Sequence, residues 1–347
     1  MSDTDPSEHP PSFYVERQAA KRSADPLLSL IVPVFNEAEG LPAFIEATRD
    51  VLTTLNVRHE YIFVDDGSRD ESARLIAIDI LPKHPGVLIG FSRNFGKEAA
   101  VTAGLDEARG DIAIVIDADL QDPPDLIGDM VAGWRQGYDV VYGLRTDRSS
   151  DSFTKRKTAN LFYKLFRRLS RLDMSPNAGD FRLIDRQVIE ALKQLPERNR
   201  FMKGLFAWVG FSSLAIPYKR PPRQAGTSSW TYWRLWNFAL DGFTGFSTVP
   251  LRIWSYFGTF VAFASMIFAG FLIVQVLLYG IEVPGYASLM VGLLFFSGIQ
   301  LISIGLIGEY IGRSFTELKH RPLYLLRDKI EARSHNPVAP QDTDQTD

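Results

Sequence analysis

Between Ile253 and Gly308 the chain carries one charged residue, Glu282. Tyr256–Ile281 and Val283–Gly308 contain no Asp, Glu, Lys or Arg. As α-helices each would reach about 39 Å, more than the roughly 30 Å hydrocarbon core of a bilayer. Only the Glu282-Val-Pro-Gly285 turn separates them. The pattern predicts two transmembrane helices, about 256–281 and 285–308, paired as a hairpin within residues 253–311. Two buried core helices are the competing reading, and they are rarely this long. The connecting turn has no Lys or Arg, whereas Arg252 precedes the first span and Arg313, Lys319, His320, Arg321 and Arg327 follow the second. Basic residues gather on the cytoplasmic side of a membrane. The expectation is a multi-pass protein of the cytoplasmic (inner) membrane, with both termini and the polar body in the cytoplasm.

The rest of the chain has a different character. Its 38 basic residues nearly balance its 41 acidic ones, for a net charge of -3, which argues against nucleic acid as a partner. Absence of cysteine excludes disulfides, thiolate metal sites and Cys catalysis. Residues 1–26 show no apolar period and read as a disordered tail, and no apolar run near Met1 signals a cleavable leader. Strand-like runs at Leu28–Val34, Tyr61–Val64, Val87–Phe91, Ile112–Ile116 and Val140–Tyr142 then alternate with helix-like Gly40–Leu55, Ser72–Ile80, Glu98–Ala108 and Pro124–Gln136. That alternation predicts an α/β fold, a doubly wound and mostly parallel sheet spanning residues 27–228. Phe153–Leu172 is rich in Lys and Arg with no acid, which suits either a helix on anionic lipid or a surface helix on the sheet. The aromatics Trp230, Tyr232, Trp233 and Trp236 make 229–252 an expected interfacial segment. Residues 312–347 read as a cytoplasmic tail.

In a parallel sheet ligands sit at the carboxyl ends of the strands. There the sequence places Asp117-Ala-Asp119-Leu-Gln121-Asp-Pro-Pro, directly after Ile112–Ile116. Two carboxylates two positions apart, followed by an amide carbonyl, can converge on a hard cation such as Mg2+ or Mn2+, which also bridges diphosphate oxygens. Two other strands end in acids: Ile62-Phe-Val-Asp65-Asp66-Gly67-Ser68 and Ile31-Val-Pro33-Val-Phe35-Asn36-Glu37. Each has a bland reading alone: a surface Asp-x-Asp, an Asp-Gly turn, a Glu at a helix start. Three acidic strand ends in one sheet predict one shared site. No Gly-x-Gly-x-x-Gly or P-loop lysine occurs. A nucleoside diphosphate would therefore need a metal and Arg or Lys side chains, with Arg145 and Arg223 as candidates.

These motifs together resemble glycosyltransferase family 2, with its A-type nucleotide-sugar fold. Ser92-Arg-Asn-Phe-Gly96-Lys97-Glu98-Ala, Asp117-Ala-Asp-Leu-Gln-Asp-Pro-Pro124 and Ala178-Gly-Asp180-Phe-Arg182-Leu look like the polyprenyl-phosphate glycosyltransferases. That group includes dolichyl-phosphate mannosyltransferases and bactoprenol glucosyltransferases. The similarity runs from about Leu28 to Tyr324. It implies that Pro33, Phe35, Glu37, Asp65 and Asp66 contact the base and ribose of a nucleotide-sugar donor. Asp117, Asp119 and Gln121 would hold the divalent metal, Arg145 and Arg223 phosphates, and Lys97 and Arg182 the acceptor phosphate. Asp180 and Asp119 would be catalytic. Two departures stand out: Phe35 replaces a frequent Tyr, and Gly226-Thr-Ser-Ser229 lacks a frequent Lys. The implied reaction is inverting transfer of a sugar, glucose from UDP-glucose first and mannose, galactose or an amino sugar behind it, to undecaprenyl or another polyprenyl phosphate in the bilayer. A homo-oligomer is left open. A nucleotide-sugar hydrolase or a catalytically silent membrane scaffold remains as an alternative.

Overall fold

The computed structural model describes residues 13–146, 178–198, 200–219, 249–279 and 285–332. Eight strands form one sheet, in the order Ser213–Tyr218, Val140–Arg145, Ala178–Asp185, Ile112–Val115, Leu27–Val34, Arg58–Asp65, Gly86–Phe91 and Leu326–Glu331. The parallel heart comprises β1 (Leu27–Val34), β2 (Arg58–Asp65), β3 (Gly86–Phe91) and β4 (Ile112–Val115). Their connections hold α2 (Leu41–Leu55), α3 (Ser72–Leu75, continued by a wider turn to Ile80) and α4 (Lys97–Glu107). Beyond β4 come α5 (Leu126–Arg135), β5 (Val140–Arg145), β6 (Ala178–Asp185), α6 (Arg186–Lys193), α7 (Met202–Trp208) and β7 (Ser213–Tyr218). β6 lies antiparallel between β4 and β5, while β5 and β7 run parallel. The sheet is thus mixed but mostly parallel, as the alternation predicted.

Strand side chains alternate between the faces, and the core divides accordingly. Leu28, Leu30, Val32 and Val34 of β1 pack with Leu41, Phe44 and Leu52 of α2 and with Ile127, Met130 and Trp134 of α5. Ile31, Ile62 and Val64 face the other way, against Ala100, Ala103 and Leu105 of α4, with Val188 and Ile189 of α6. The small residues of α4 let it lie close on β1: a Cβ at Gly104 would come within 2.2 Å of the Ile31 methyl.

The hairpin follows as α8 (Val249–Tyr279) and α9 (Tyr286–Leu318). Within them Ile253–Tyr279 and Val291–Leu318 are long and apolar enough to cross a membrane, and neither is buried in the protein. That exposure removes the core-helix reading. The Glu282 turn, Phe153–Leu172, Arg223 and most of the 229–252 segment lie outside the described residues.

Two expectations about the ends need correction. Residues 13–26 were expected within a disordered tail, but they include α1 (Phe13–Ala19), with Val15 and Gln18 buried. Next to it Arg22 pairs with Asp139 at 2.8 Å and with Asp185. One guanidinium neutralises two carboxylates that are 0% and 4% exposed, and buried charge is stable only when paired. A seven-residue helix is too short to display a period. The expected tail 312–347 likewise supplies a strand, β8 (Leu326–Glu331), antiparallel to β3. It covers an otherwise open sheet edge, held by Lys329 to Glu107 at 2.8 Å and Arg109 to Glu331 at 3.2 Å. Its side chains are all exposed, so it carries no apolar alternation.

Candidate active site

The acidic strand ends gather along one edge of the sheet. β1 delivers Pro33 and the exposed Phe35, then turns through Asn36 at φ 56° so that the Glu37 N–H donates to Ser72 Oγ at 2.9 Å. The adjacent β2 ends in Asp65 and Asp66, which are 0% and 4% exposed. Asp65 Oδ1 accepts from the Ser68 N–H at 2.9 Å. Asp66 turns inward and accepts from the N–H groups of Phe95 at 2.6 Å and Gly96 at 2.9 Å. Burial pushes the Asp66 pKa up, against the pull of those two amides. Asp66 therefore anchors the Ser92–Gly96 loop to β2. Gly67 is required there: at φ 74° its Cβ would fall 2.7 Å from the Arg93 carbonyl carbon.

β4 and β6 explain the meeting of Asp117 and Asp180. Their antiparallel register pairs Ile112 with Asp185 and Val115 with Arg182; two residues further along, Asp117 falls opposite Asp180. Lys97, opening α4, sits between them, with Nζ 2.7 Å from Asp117 Oδ2 and 2.9 Å from Asp180 Oδ2. Lys203 of α7 approaches the other Asp180 oxygen at 3.8 Å. Burial alone would raise the Asp180 pKa, but Lys203 and Lys97 outweigh it and hold the carboxyl well below its usual range. Burial raises Asp117, with Lys97 opposing. Lys97 itself is held above its ordinary value, because the two carboxylates exceed the cost of its burial. Beside it Glu98 is pushed up to about 7, first by burial and then by the charge of Asp180.

Asp119 lies one turn further on, its Oδ1 accepting from the Gln121 N–H at 3.1 Å, with Leu120 at φ 54° between them. Gln121 is buried. Among the described residues no three His, Cys, Asp or Glu side chains are placed to hold a metal unaided. The set nevertheless suits a Mg2+-type ion, which takes one or two protein carboxylates and completes its shell with substrate phosphate oxygens. A cation, the Lys97 ammonium, already lies against Asp117.

Arg145, ending β5, donates through Nε to the Tyr218 hydroxyl at 3.1 Å and lies 3.7 Å from Asp122. Tyr218 in turn donates to Asp122, and burial with that carboxylate pushes its pKa up to about 12. A Cβ on Gly179 would stand 3.5 Å from the Arg145 guanidinium, so Arg145 flanks Asp180. Arg182 is placed differently from its expected position at an acceptor. It is 4% exposed, donates to the Gly179 carbonyl at 2.7 Å and stacks 4.0 Å over Phe206. Lys203, partly exposed, pairs with Asp180 instead. Neither Lys203 nor Arg327, whose guanidinium reaches Asp65 Oδ2 at 3.5 Å, was expected at the site; the sequence marked Arg327 only as one of the basic residues after the second span. Each lies far along the chain from its partner.

Residues 29–193 match the model for glycosyl transferase family 2, and residues 249–314 match the GtrB C-terminal hairpin. The bactoprenol glucosyl transferase of Shigella phage SfV is 47% identical over 302 residues, covering 87% of this chain and 98% of that protein. The chain belongs to glycosyl transferase family 2. An uncharacterized glycosyltransferase of Synechocystis is 49% identical to this family 2 transferase over 302 residues, 87% of this chain and 95% of the relative. Among solved structures, the mannosyltransferase PcManGT of Pyrobaculum calidifontis in complex with GDP-Man and Mn2+ aligns with a TM-score of 0.44 and 17% identity. It covers 89% of this chain and 94% of that one.

Proposed function

We propose that this chain moves glucose from UDP-glucose to the phosphate of a polyprenyl phosphate, inverting the anomeric carbon, at the cytoplasmic face of the membrane. The observation that carries the reading is the Asp117–Lys97–Asp180 cluster at the strand ends of a chain that continues into an apolar hairpin. The relatives named bactoprenol glucosyl transferase support the sugar and the lipid. Pro33, Phe35, Glu37 and Asp65 would contact the base and ribose. Asp117 and Asp119, backed by Gln121, would hold a divalent cation on the donor diphosphate, where it offsets charge growing on the leaving group.

The acceptor needs little activation. A phosphate monoester has a second pKa near 6 and is mostly a dianion at neutral pH. One of its oxygens forms the new bond to the anomeric carbon as the bond from that carbon to the diphosphate oxygen breaks. The electron pair leaves with UDP, and no proton need move. Lys97 and Lys203 draw the anionic headgroup, and Arg145 faces the phosphates. Asp180, fully ionised through its two lysines, stabilises positive charge developing on the sugar ring. Positioning supplies much of the remainder. It is served by the tie between the end of α9 and the catalytic body, where the Glu317 carboxylate accepts from the Arg198 N–H at 3.0 Å. The basic residues Lys319, His320 and Arg321 beyond α9 favour the cytoplasmic side.

Product stereochemistry tests this reading. Purified protein in detergent, given UDP-glucose, Mg2+ and undecaprenyl phosphate, should yield β-glucosyl phosphate by NMR. An α-linked product would contradict single displacement, and free glucose would replace the lipid acceptor with water.

A further inference from the structure

β8 does more than cover an edge. Three strands align Asp65 of β2 with Gly90 of β3 and Gly90 with Asp328 of β8. At that point the β3–β8 register slips: Gly90 pairs with Asp328 and Phe91 with Leu326, which leaves Arg327 without a partner. An extra residue of this kind re-aims its side chain, and such bulges recur beside functional sites. Arg327 turns across Gly90 toward the end of β2, where its guanidinium meets Asp65 Oδ2 at 3.5 Å and Asp328 at 3.0 Å. Gly90 leaves the space: a Cβ there would lie 1.9 Å from Asp328 Oδ1 and 3.0 Å from the Arg327 guanidinium. The preceding residues are fixed as well. Tyr324 stacks on Phe91 with ring centroids 4.9 Å apart and donates to Asp106 at 2.9 Å, and the Ser92 N–H donates to the Leu325 carbonyl at 2.9 Å.

We propose that Arg327, delivered by the strand that follows the membrane hairpin, is a positioning residue for the donor nucleotide and acts by orienting the Asp65 carboxylate. The inference rests on the reading that Asp65 faces the donor's nucleoside. With Oδ1 held by the Ser68 amide and Oδ2 by Arg327, Asp65 keeps one orientation. It can then accept from an N–H or O–H of a nucleoside diphosphate while the guanidinium stays beside it for a neighbouring carbonyl. Donor binding is thereby coupled to the docking of a strand that is continuous with α9.

The test is UDP affinity by calorimetry on the full chain in detergent with Mn2+. Arg327→Ala should weaken UDP roughly tenfold, raise the KM for UDP-glucose by a similar factor and leave kcat nearly unchanged. Arg327→Lys should recover part of the loss. Lys329→Ala, on the same strand but away from Asp65, should bind UDP as the wild type does. In an Asp65→Asn background Arg327→Ala should add little. Unchanged or tighter UDP binding in Arg327→Ala would overturn the proposal. So would an equal loss in Lys329→Ala, which would reduce Arg327 to strand docking, or an undiminished loss in the Asp65→Asn background. Wild-type protein that binds no nucleotide would remove the donor reading itself, and this inference with it.

Discussion

Replacing Lys97 by Met takes the shared cation from between Asp117 and Asp180. The two carboxylate oxygens sit 2.7 and 2.9 Å from Nζ on its two sides. Two unit charges roughly 5 Å apart repel by about 3 kcal/mol at an effective dielectric of about 20. The Lys97, Asp117 and Asp180 side chains are 39%, 30% and 37% exposed, so solvent screening removes roughly half of that. Each lost ion pair adds about 0.5 kcal/mol, for a total near 2–3 kcal/mol. In a chain of this size that corresponds to about 3–4 °C in melting midpoint. The pH dependence follows from the signs. Lys97, raised in the fold, contributes its stability below its unfolded pKa, and loses it only as pH rises past the folded value. Asp180, lowered in the fold, contributes above its unfolded pKa and loses it as pH falls through the folded value. Between pH 5 and 9 the contribution of these two groups is therefore flat. In Lys97→Met the facing carboxylates can relieve their repulsion by taking up a proton, so the deficit should be largest at pH 8 and shrink toward pH 5. Thermal melts in detergent with EDTA measure this. Added Mn2+ should restore more stability to Lys97→Met than to the wild type, since it can stand where the ammonium stood. A deficit independent of pH, or none, would refute the shared-cation account.

Three further perturbations have definite signs. Glu98, raised to about 7 in the fold from an ordinary 4.5, costs stability as pH rises from about 4.5 and levels off above about 7; Glu98→Gln should melt increasingly above the wild type over that window, and parallel pH profiles would contradict it. Gly104→Ala gains about 1 kcal/mol of helix propensity, yet its Cβ would lie 2.2 Å from a methyl of fully buried Ile31. Overpacking at about 1–3 kcal/mol should win, so the variant should melt lower. Tyr218→Phe strips a donor from Asp122, which is 2% exposed, and should destabilise the fold by about 1–3 kcal/mol in chemical denaturation.

The alternation of β1 to β4 with α2, α4 and α5 was readable because central parallel strands are apolar on both faces. The hairpin was readable because length and absence of charge need no partner to show themselves. The strand ends at Asp65, Asp117 and Asp119 followed from that frame. Asp180 was visible as part of a motif, but its meeting with Asp117 depends on the β4–β6 register, which the sequence of an inserted antiparallel strand does not display. β8 escaped notice because all its side chains are exposed and its stability comes from backbone pairing and ion pairs. α1 and Arg22 escaped because their value lies in two distant carboxylates. Arg182 carried the right charge in the right motif, but its position in β6 turns it under Phe206.

The account stands most directly on Asp180. Transfer of labelled glucose from UDP-glucose into undecaprenyl phosphate should be followed into the organic phase for the wild type and for Asp180→Asn, whose UDP affinity and melting behaviour are checked alongside. The account predicts normal UDP binding and a loss of transfer of about a hundredfold or more, the scale on which one well-placed electrostatic group acts. Wild-type transfer rates in Asp180→Asn, with donor binding intact, would contradict it.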